Sequence, residues 1–478
     1  MQDWSLDPRI RAILSKLPLP FSLPTELRRT PSRAEGGELA GMRALLTGLG
    51  DDLDRALLST VRQAGAEVGV AAAIPWSSLP VGVRHESWPD DTAESLIQIV
   101  RDGGETPVLL VHRLGVDSGD PARNSQTDRL FAAAQAASHL PANSRFVIVA
   151  GSDLSSDSSE LLIALASGTV RTAFKEFGRI GTTAHLVRAQ SADVGAVAEL
   201  VAYLGGPHAA FVTGLDLRAS GGQGEISSGN RTLNGKHALV TGGARGIGAA
   251  IALRLAQEGA AIWINDLSSA AAPAEAVIQA IVAAGGRAQF IGADLGTEAG
   301  ITEIAASIKG SAGKLDVVVH NAGITRDKTL RKMSLQNWRQ VLQIDLGALV
   351  RLQAALDPLM ANNSSLIAMS SVMGIAGNFG QANYTAAKAA VLELTRQWAR
   401  QGAVRGTRAN AIAPGFILTE MTAQIPLFNR EMAKQLTALA QPGTPDDVAE
   451  LACFLASPRS RALNGAALRC DGGMALGA

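Results

Sequence analysis

Cysteine is almost absent from this chain of 478 residues, which holds two, Cys453 and Cys470. Two cysteines cannot build a disulfide framework, and neither stands near His or Cys at metal-ligand spacing, which argues against a thiolate metal centre. Both read as small core residues. An excess of charge of either sign is lacking too. Forty-three basic residues balance 43 acidic ones, and zero formal net charge argues against a nucleic acid or a membrane surface as partner, because either would favour a basic excess. Aromatic residues make up only 4%, against 50 glycines, a balance that points to tight turns and small-residue packing of helices on sheets. No uninterrupted apolar segment reaches membrane length. Asp3, Asp7, Arg9, Arg11 and Lys16 stand where a secretory signal would need an apolar run. The cytoplasm is the expected location.

What is present is long enough for two domains. Residues 1–38 read as an N-terminal arm, with a short helical pattern at Arg9–Leu17 and then Pro18, Pro20, Pro24 and Pro31, which prevent a long helix. From Leu39 to Ala219 strand and helix patterns alternate, which implies a doubly wound α/β sheet. Met42–Thr47 reads as a buried strand, Gly48-Leu-Gly50 as a turn and Leu53–Ala64 as an amphipathic helix. This is the frame of a dinucleotide-binding unit with the wrong chemistry. Asp51, Asp52 and Asp54 crowd the helix start, where they cap the backbone N–H groups and repel a pyrophosphate. Strands follow at Ala66–Ala73, Pro107–Val111 and Arg145–Ala150, with helices at Asp128–His139 and Ser159–Phe177, the latter holding no Tyr followed by Lys. This half is expected to be a degenerate Rossmann-like or flavodoxin-like domain without nucleotide.

An internal repeat links the halves. Val197-Ala-Glu-Leu-Val-Ala-Tyr-Leu-Gly-Gly-Pro207, continuing to Leu217-Arg218, aligns without a gap to Val448-Ala-Glu-Leu-Ala-Cys-Phe-Leu-Ala-Ser-Pro458, continuing to Leu468-Arg469. Two copies of one fold in tandem are expected. Between them, residues 220–232 form a Gly/Ser-rich linker, flexible by composition.

The second domain, 233–478, opens on a strand running into Thr241-Gly242-Gly-Ala-Arg245-Gly246-Ile247-Gly248. Glycines so placed let the backbone turn sharply, approach a pyrophosphate and pack the helix on the strand. The next strand, Ala260–Asp266, ends on a carboxylate suited to both ribose hydroxyls of the adenosine and repulsive to the extra phosphate of NADP. Arg245 pulls the other way, since a basic residue in the turn would hold that phosphate. An unpaired carboxylate facing a phosphate is the costlier arrangement, so Asp266 decides and NADH is favoured over NADPH. Asp294-Leu295 fits a strand end at the adenine, and Val317–Gly323 a strand stopping beside the cofactor at Asn321, Ala322 and Gly323. Leu366–Ser371 delivers a hydroxyl, and Pro414, Gly415, Ile417 and Thr419 supply a loop for the nicotinamide carboxamide.

Chemistry centres on Tyr384-Thr-Ala-Ala-Lys388. One helical turn puts a phenol and an ammonium on one face, and an ammonium in a partly dry site favours the phenolate. Tyr384 is cast as the acid and Lys388 as its tuner. A Tyr and Lys at this spacing form a weak pattern alone, but the glycine turn, Asp266 and Ser371 on the same chain give it context.

With these motifs the second domain resembles the short-chain dehydrogenase/reductases. Asn321-Ala-Gly-Ile-Thr-Arg-Asp327, Gly380-Gln-Ala-Asn-Tyr384 and Pro414-Gly-Phe-Ile417 are similar to the 3-oxoacyl-carrier-protein reductases among them, and the whole chain resembles their high-molecular-weight, two-domain members. The resemblance implies hydride transfer from a nicotinamide to the ketone of a 3-oxoacyl thioester in fatty-acid metabolism. Tyr384 then donates the proton, Ser371 hydrogen-bonds the same oxygen, and Lys388 binds the nicotinamide ribose and tunes Tyr384.

Two positions depart from the family. Asp345 replaces the fourth catalytic residue, an Asn, and a carboxylate beside Lys388 is expected to reduce activity or shift its pH dependence. His320 replaces the first Asn of Asn-Asn-Ala-Gly and reads as a packing residue. Family members also dock an acidic carrier protein through two basic positions. Arg405 matches one and Asn362 stands at the other, which favours acyl-CoA as the alternative carrier. The family further implies a homo-oligomer, dimer or tetramer. The first domain is expected to supply oligomer contacts or to cover the acyl site. Because the catalytic residues do not encode substrate, a dehydrogenase of another secondary alcohol, such as a sugar or steroid, is one alternative. A nucleotide-binding scaffold without turnover is another.

Overall fold

The computed structural model describes residues 24–29, 37–48, 50–72, 79–88, 92–115, 125–151, 157–221, 232–423 and 427–474. The helical pattern at Arg9–Leu17 and most of the 220–232 linker lie outside them. The chain forms two compact units, each around one seven-stranded, all-parallel sheet.

The first sheet comprises β1 (Arg43–Thr47), β2 (Glu67–Ala72), β3 (Arg84–Ser87), β4 (Val108–Leu114), β5 (Arg145–Ala150), β6 (Thr183–Ala192) and β7 (Leu215–Gly221), in the order β3-β2-β1-β4-β5-β6-β7. The second has β8 (His237–Thr241), β9 (Ala261–Asp266), β10 (Arg287–Gly292), β11 (Leu315–His320), β12 (Met360–Met369), β13 (Arg408–Pro414) and β14 (Ala467–Cys470), in the matching order β10-β9-β8-β11-β12-β13-β14. Both are Rossmann-like, as the alternating patterns predict. Strands β4 and β5 are buried along their whole length, since a parallel sheet is covered on both faces and its strands read as continuous apolar runs. Each fully buried Leu, Val or Ile there contributes roughly 1.5–3 kcal/mol. Strand β3 escapes the sequence pattern because it is an edge of four polar residues, Arg-His-Glu-Ser, with both ends exposed.

The repeat is structural. Helix Val194–Gly205, a 3₁₀ turn at Pro207–Ala209 and β7 are matched by helix Pro445–Ala456, a 3₁₀ turn at Pro458–Ser460 and β14. The first two residues of the expected linker, Ser220 and Gly221, belong to β7. The partition is also not a single cut, for Lys434–Gln441 and Gly472–Gly473 group with the first unit. There Gln441 donates to the Thr25 carbonyl at 3.0 Å, and the Gly472 N–H donates to the Phe211 carbonyl at 3.0 Å.

The turn after β1 carries the acidic chemistry expected of it. Asp51 caps helix Asp52–Gln63 by accepting from the Asp54 N–H at 2.8 Å. Asp54, itself buried, accepts from the Gly50 N–H at 2.8 Å. Arg113 at the end of β4 completes the group, its Nε 3.0 Å from Asp54 and its Nη2 2.8 Å from Asp51. Carboxylates of the chain therefore hold turn N–H groups of the kind that receive phosphate in a dinucleotide fold.

Both cysteines are buried, and burial pushes the Cys453 thiol up to about 12. No described helix is long and apolar enough to cross a membrane.

Two histidines are enclosed in the first sheet. His112 Nδ1 lies 2.7 Å from Thr47 Oγ1. Burial, aided by Arg129 and Arg113, lowers its pKa to about 3. Burial and Arg145 do the same to His185, also to about 3, against a backbone hydrogen bond at Val212. Both are neutral when folded, whereas an unfolded histidine protonates below about 6.5. Stability is therefore fully present above that pH and falls as the pH drops toward 3, by about 1.4 kcal/mol per pH unit for each histidine. Denaturant unfolding at pH 7.0, 6.0 and 5.0 should show this loss, and His185→Gln should have the shallower slope. An unchanged slope would remove His185 from the account.

Candidate active site

The second sheet reverses its winding between β8 and β11, where a crevice opens at the carboxyl ends of the strands. A cleft of about 760 Å³ lies there. Its floor is the turn after β8. Gly242 and Gly246 take φ of +61° and +54°, a region that favours glycine. A Cβ at Gly248 would stand 2.1 Å from the Gly242 carbonyl oxygen, so the turn closes on the helix only with glycine there. Helix Gly246–Gln257 begins after Arg245, whose side chain makes no capping hydrogen bond. Its first N–H groups face the cleft without a side-chain cap, unlike those of the equivalent helix in the first unit. Together with the glycine cradle this fits the pyrophosphate of a nicotinamide dinucleotide.

Of the residues singled out from sequence, Gly242, Arg245, Gly246, Ile247, Gly248, Asp266, Asp294, Leu295, Asn321, Ala322 and Gly323 line this cleft. So do Ser371, Tyr384, Lys388, Pro414, Gly415, Ile417 and Thr419. Asp266 is held at the end of β9, one oxygen accepting from the Ala244 N–H at 3.2 Å and the other from the Leu267 N–H at 2.9 Å. Asn321 has a bracing task. Its side-chain amide donates to the Thr241 and Gly242 carbonyls, both at 3.0 Å, and so ties the end of β11 to the turn.

Asp345 does not line the cleft. It sits behind it, fully buried, in a π-helical turn, Gln343–Gly347, between helices Leu335–Leu342 and Ala348–Leu356. Such insertions re-aim a side chain and recur at functional sites. One carboxylate oxygen accepts from the Ile324 N–H at 2.7 Å. The other lies 3.1 Å from Lys388 Nζ, whose side chain is 5% exposed. This contact is an ion pair without aligned hydrogen-bond geometry. Lys388 Nζ also donates to the Met369 carbonyl at 3.1 Å and stands 5.5 Å from the Tyr384 ring centre. Gly323 leaves room for this packing, since a Cβ there would come within 2.8 Å of Asp345 and 3.2 Å of Lys388.

Ser371, two residues beyond β12, is the N-cap of helix Val372–Ala376, and its Oγ accepts from the Met373 N–H at 3.2 Å. That leaves the hydroxyl hydrogen to donate toward the cleft. Helix Ala382–Gly402 carries Tyr384 and Lys388. Buried Asn383 pins it by donating to the Arg326 and Asn337 carbonyls at 3.1 and 3.2 Å. Its place beside Tyr384 in Gln-Ala-Asn-Tyr is the only sequence signal for this role. Thr325 and Arg326, inside the Asn321–Asp327 motif but given no role from sequence, also line the cleft, as do Glu420 and Thr422, which no motif marks. His320 is a core residue, as expected. Its Nε2 lies 3.0 Å from Gln353, and burial lowers its pKa to about 4 although that hydrogen bond opposes the shift.

The known proteins to which this chain is similar include reductases and dehydrogenases. A family model described as Enoyl-(Acyl carrier protein) reductase matches residues 242–475. The 3-oxoacyl-[acyl-carrier-protein] reductase FabG of Thermotoga maritima is 37% identical over 246 residues, 51% of this chain and 99% of that protein. The 3-oxoacyl-[acyl-carrier-protein] reductase of a Synechocystis species is 39% identical over 247 residues, covering 51% and 98%. FabG of Staphylococcus aureus is 40% identical over 241 residues, covering 50% and 98%. A solved short chain dehydrogenase from Burkholderia cenocepacia, in complex with NADP, is 34% identical, covers 51% of this chain and 98% of its own, and superposes with a TM-score of 0.49. The chain belongs to the short-chain dehydrogenase/reductase family, with a FabG-like oxidoreductase domain in its C-terminal half. These relatives each account for about half of the chain.

Removing one partner of the buried pair leaves the other charge uncompensated. Asp345→Ala is therefore expected to lower unfolding stability by about 3 kcal/mol. Asp345→Asn keeps an acceptor for the Ile324 N–H and should lose less. Denaturant titration of both variants checks the order, and equal stabilities would contradict it.

Proposed function

We propose that the second unit reduces the ketone of 3-oxoacyl thioesters to the 3-hydroxyacyl form, using NADH. The observation that carries this reading is the convergence of Ser371, Tyr384 and Lys388 in the same cleft as the uncapped glycine turn and Asp266. A bound nicotinamide supplies the hydride. The chain's own groups supply the rest. Ser371 donates a hydrogen bond to the substrate oxygen, Tyr384 donates the proton as that oxygen becomes an alkoxide, and Lys388 holds the ribose beside them. Asp345 fixes the ammonium from behind.

Asp266 supports the choice of NADH, because its carboxylate accepts well from ribose hydroxyls and meets a phosphate in the same place as a like charge. The carrier is CoA in preference to a carrier protein. Arg405, which matches a basic docking position, is already paired with the Asp357 carboxylate, and Asn362 offers no charge. Fatty-acid metabolism is the matching role, and a homo-oligomer the matching assembly.

The test follows NADH and NADPH oxidation with acetoacetyl-CoA, the matched carrier-protein thioester and crotonyl-CoA. We expect ketone-dependent oxidation of NADH, lost by at least about 100-fold in Tyr384→Phe, and a narrowed NADH preference in Asp266→Ala. Turnover on crotonyl-CoA alone would replace ketone reduction by enoyl reduction. Tight NADH binding without turnover on any ketone would favour the scaffold reading, and faster reaction with NADPH would overturn the cofactor choice.

A further inference from the structure

The loop Gly377-Asn-Phe-Gly380 joins the helix capped by Ser371 to the helix carrying Tyr384 and Lys388. Gly377 and Gly380 both have φ of +79°, so the chain folds back at each end of the loop. Its polar groups are engaged. Asn378 donates to the Gln381 side chain at 2.8 Å, Gln381 donates to Asp327 at 2.8 Å, and Gln381 forms a parallel bridge with Lys328. Within this tied loop Phe379 stands 89% exposed. An aromatic ring held in water by an ordered loop contributes nothing to the core, and alone it would need no explanation; what sets it apart is the apolar company it keeps next to the elements that carry Ser371 and Tyr384.

Two more exposed apolar side chains belong to the same surroundings. Ile375, 41% exposed, follows Ser371 by one helical turn and so shares its face. Leu330, 72% exposed, comes two residues after Lys328, on the segment that Gln381 and Asn383 bind. None of the three lines the cleft itself; each is placed near its mouth by the chain, Ile375 and Phe379 on the segment between Ser371 and Tyr384 and Leu330 beside the Lys328–Gln381 bridge, where a substrate whose oxygen sits between Ser371 and Tyr384 would extend outward.

We infer that Phe379, with Ile375 and Leu330, forms an apolar rim that holds the alkyl tail of the acyl group and makes the enzyme prefer longer 3-oxoacyl chains. The inference rests on the 3-oxoacyl reading, under which the reacting carbon bears the thioester arm on one side and a purely apolar chain on the other. Burial of tail methylenes against the ring stabilises only substrates long enough to reach it. The expected discrimination lies in KM, because the contact is the same in the ground and transition states.

The experiment compares kcat/KM for 3-oxododecanoyl-CoA and acetoacetyl-CoA in the native chain, Phe379→Ser and a control, Val282→Ser, which changes an exposed apolar residue on helix Ala271–Ala283. We expect the native ratio to favour the long substrate. Phe379→Ser should cut that ratio by about fivefold or more, through KM for the long substrate, and the control should leave it unchanged. An unchanged ratio in Phe379→Ser, or an equal fall in the control, would overturn the inference while leaving the reductase reading intact. Absence of turnover on either thioester by the native chain would overturn both.

Discussion

An all-parallel sheet must deliver the carboxyl ends of all its strands to one edge, and the winding reversal opens a crevice there. Both sheets of this chain meet that constraint with the same strand order. What differs is how the first helix of each is capped. In the second unit the helix after the glycine turn starts with no side-chain cap, so its dipole and first N–H groups are left open at the cleft. In the first unit Asp51 and Asp54 take up N–H groups of the turn and pair with Arg113. One architecture thus gives a receptive crevice and a self-satisfied one through a few side chains.

The reacting end of the cleft depends on a second constraint, the burial of Lys388. An ammonium 5% exposed needs a compensating charge, and Asp345 supplies it at 3.1 Å. Desolvating both ions costs several kcal/mol each and is offset only where further hydrogen bonds satisfy them. Here the Ile324 N–H and the Met369 carbonyl each supply one, while the second Asp345 oxygen has only the ion pair. The same two bonds fasten the segment after β11 and the end of β12 to the ion pair. Positioning of Tyr384 and Ser371 is therefore coupled to the solution the fold found for a buried charge.

These determinants were unequally legible in the sequence. Apolar runs such as Val108–Leu114 announce buried strands, and the glycine turn, Asp266, Tyr384 and Lys388 announce themselves because each chemistry restricts the residue type at a fixed spacing. Strand β3 was hidden, since an edge of charged residues has no apolar period. The π-helical turn was hidden for another reason. It is one extra residue in an otherwise continuous helical pattern, and the residue types of Gln343–Gly347 do not mark it. The bracing bonds of the Asn321 amide were hidden as well, although the residue lines the cleft, because donors to a ligand and donors to the backbone look alike in one dimension. Arg405 kept its pairing with Asp357 hidden in the same way, by tertiary contact.

The closed state of the first unit is also self-reinforcing. Arg113 is 2% exposed and its two carboxylates are its compensation. Removing Asp54 to free the turn would leave a buried guanidinium short of charge, at a cost of about 3–5 kcal/mol, a large part of the 5–15 kcal/mol by which proteins are typically stable. Replacing Arg113 first would instead leave two carboxylates close together at the helix start. Either single step is destabilising, and only a coordinated change of all three would return an open turn. The turn after β1, with its N–H groups bonded to Asp51 and Asp54 and both carboxylates paired with Arg113, is held in that state by the energetics of the pair.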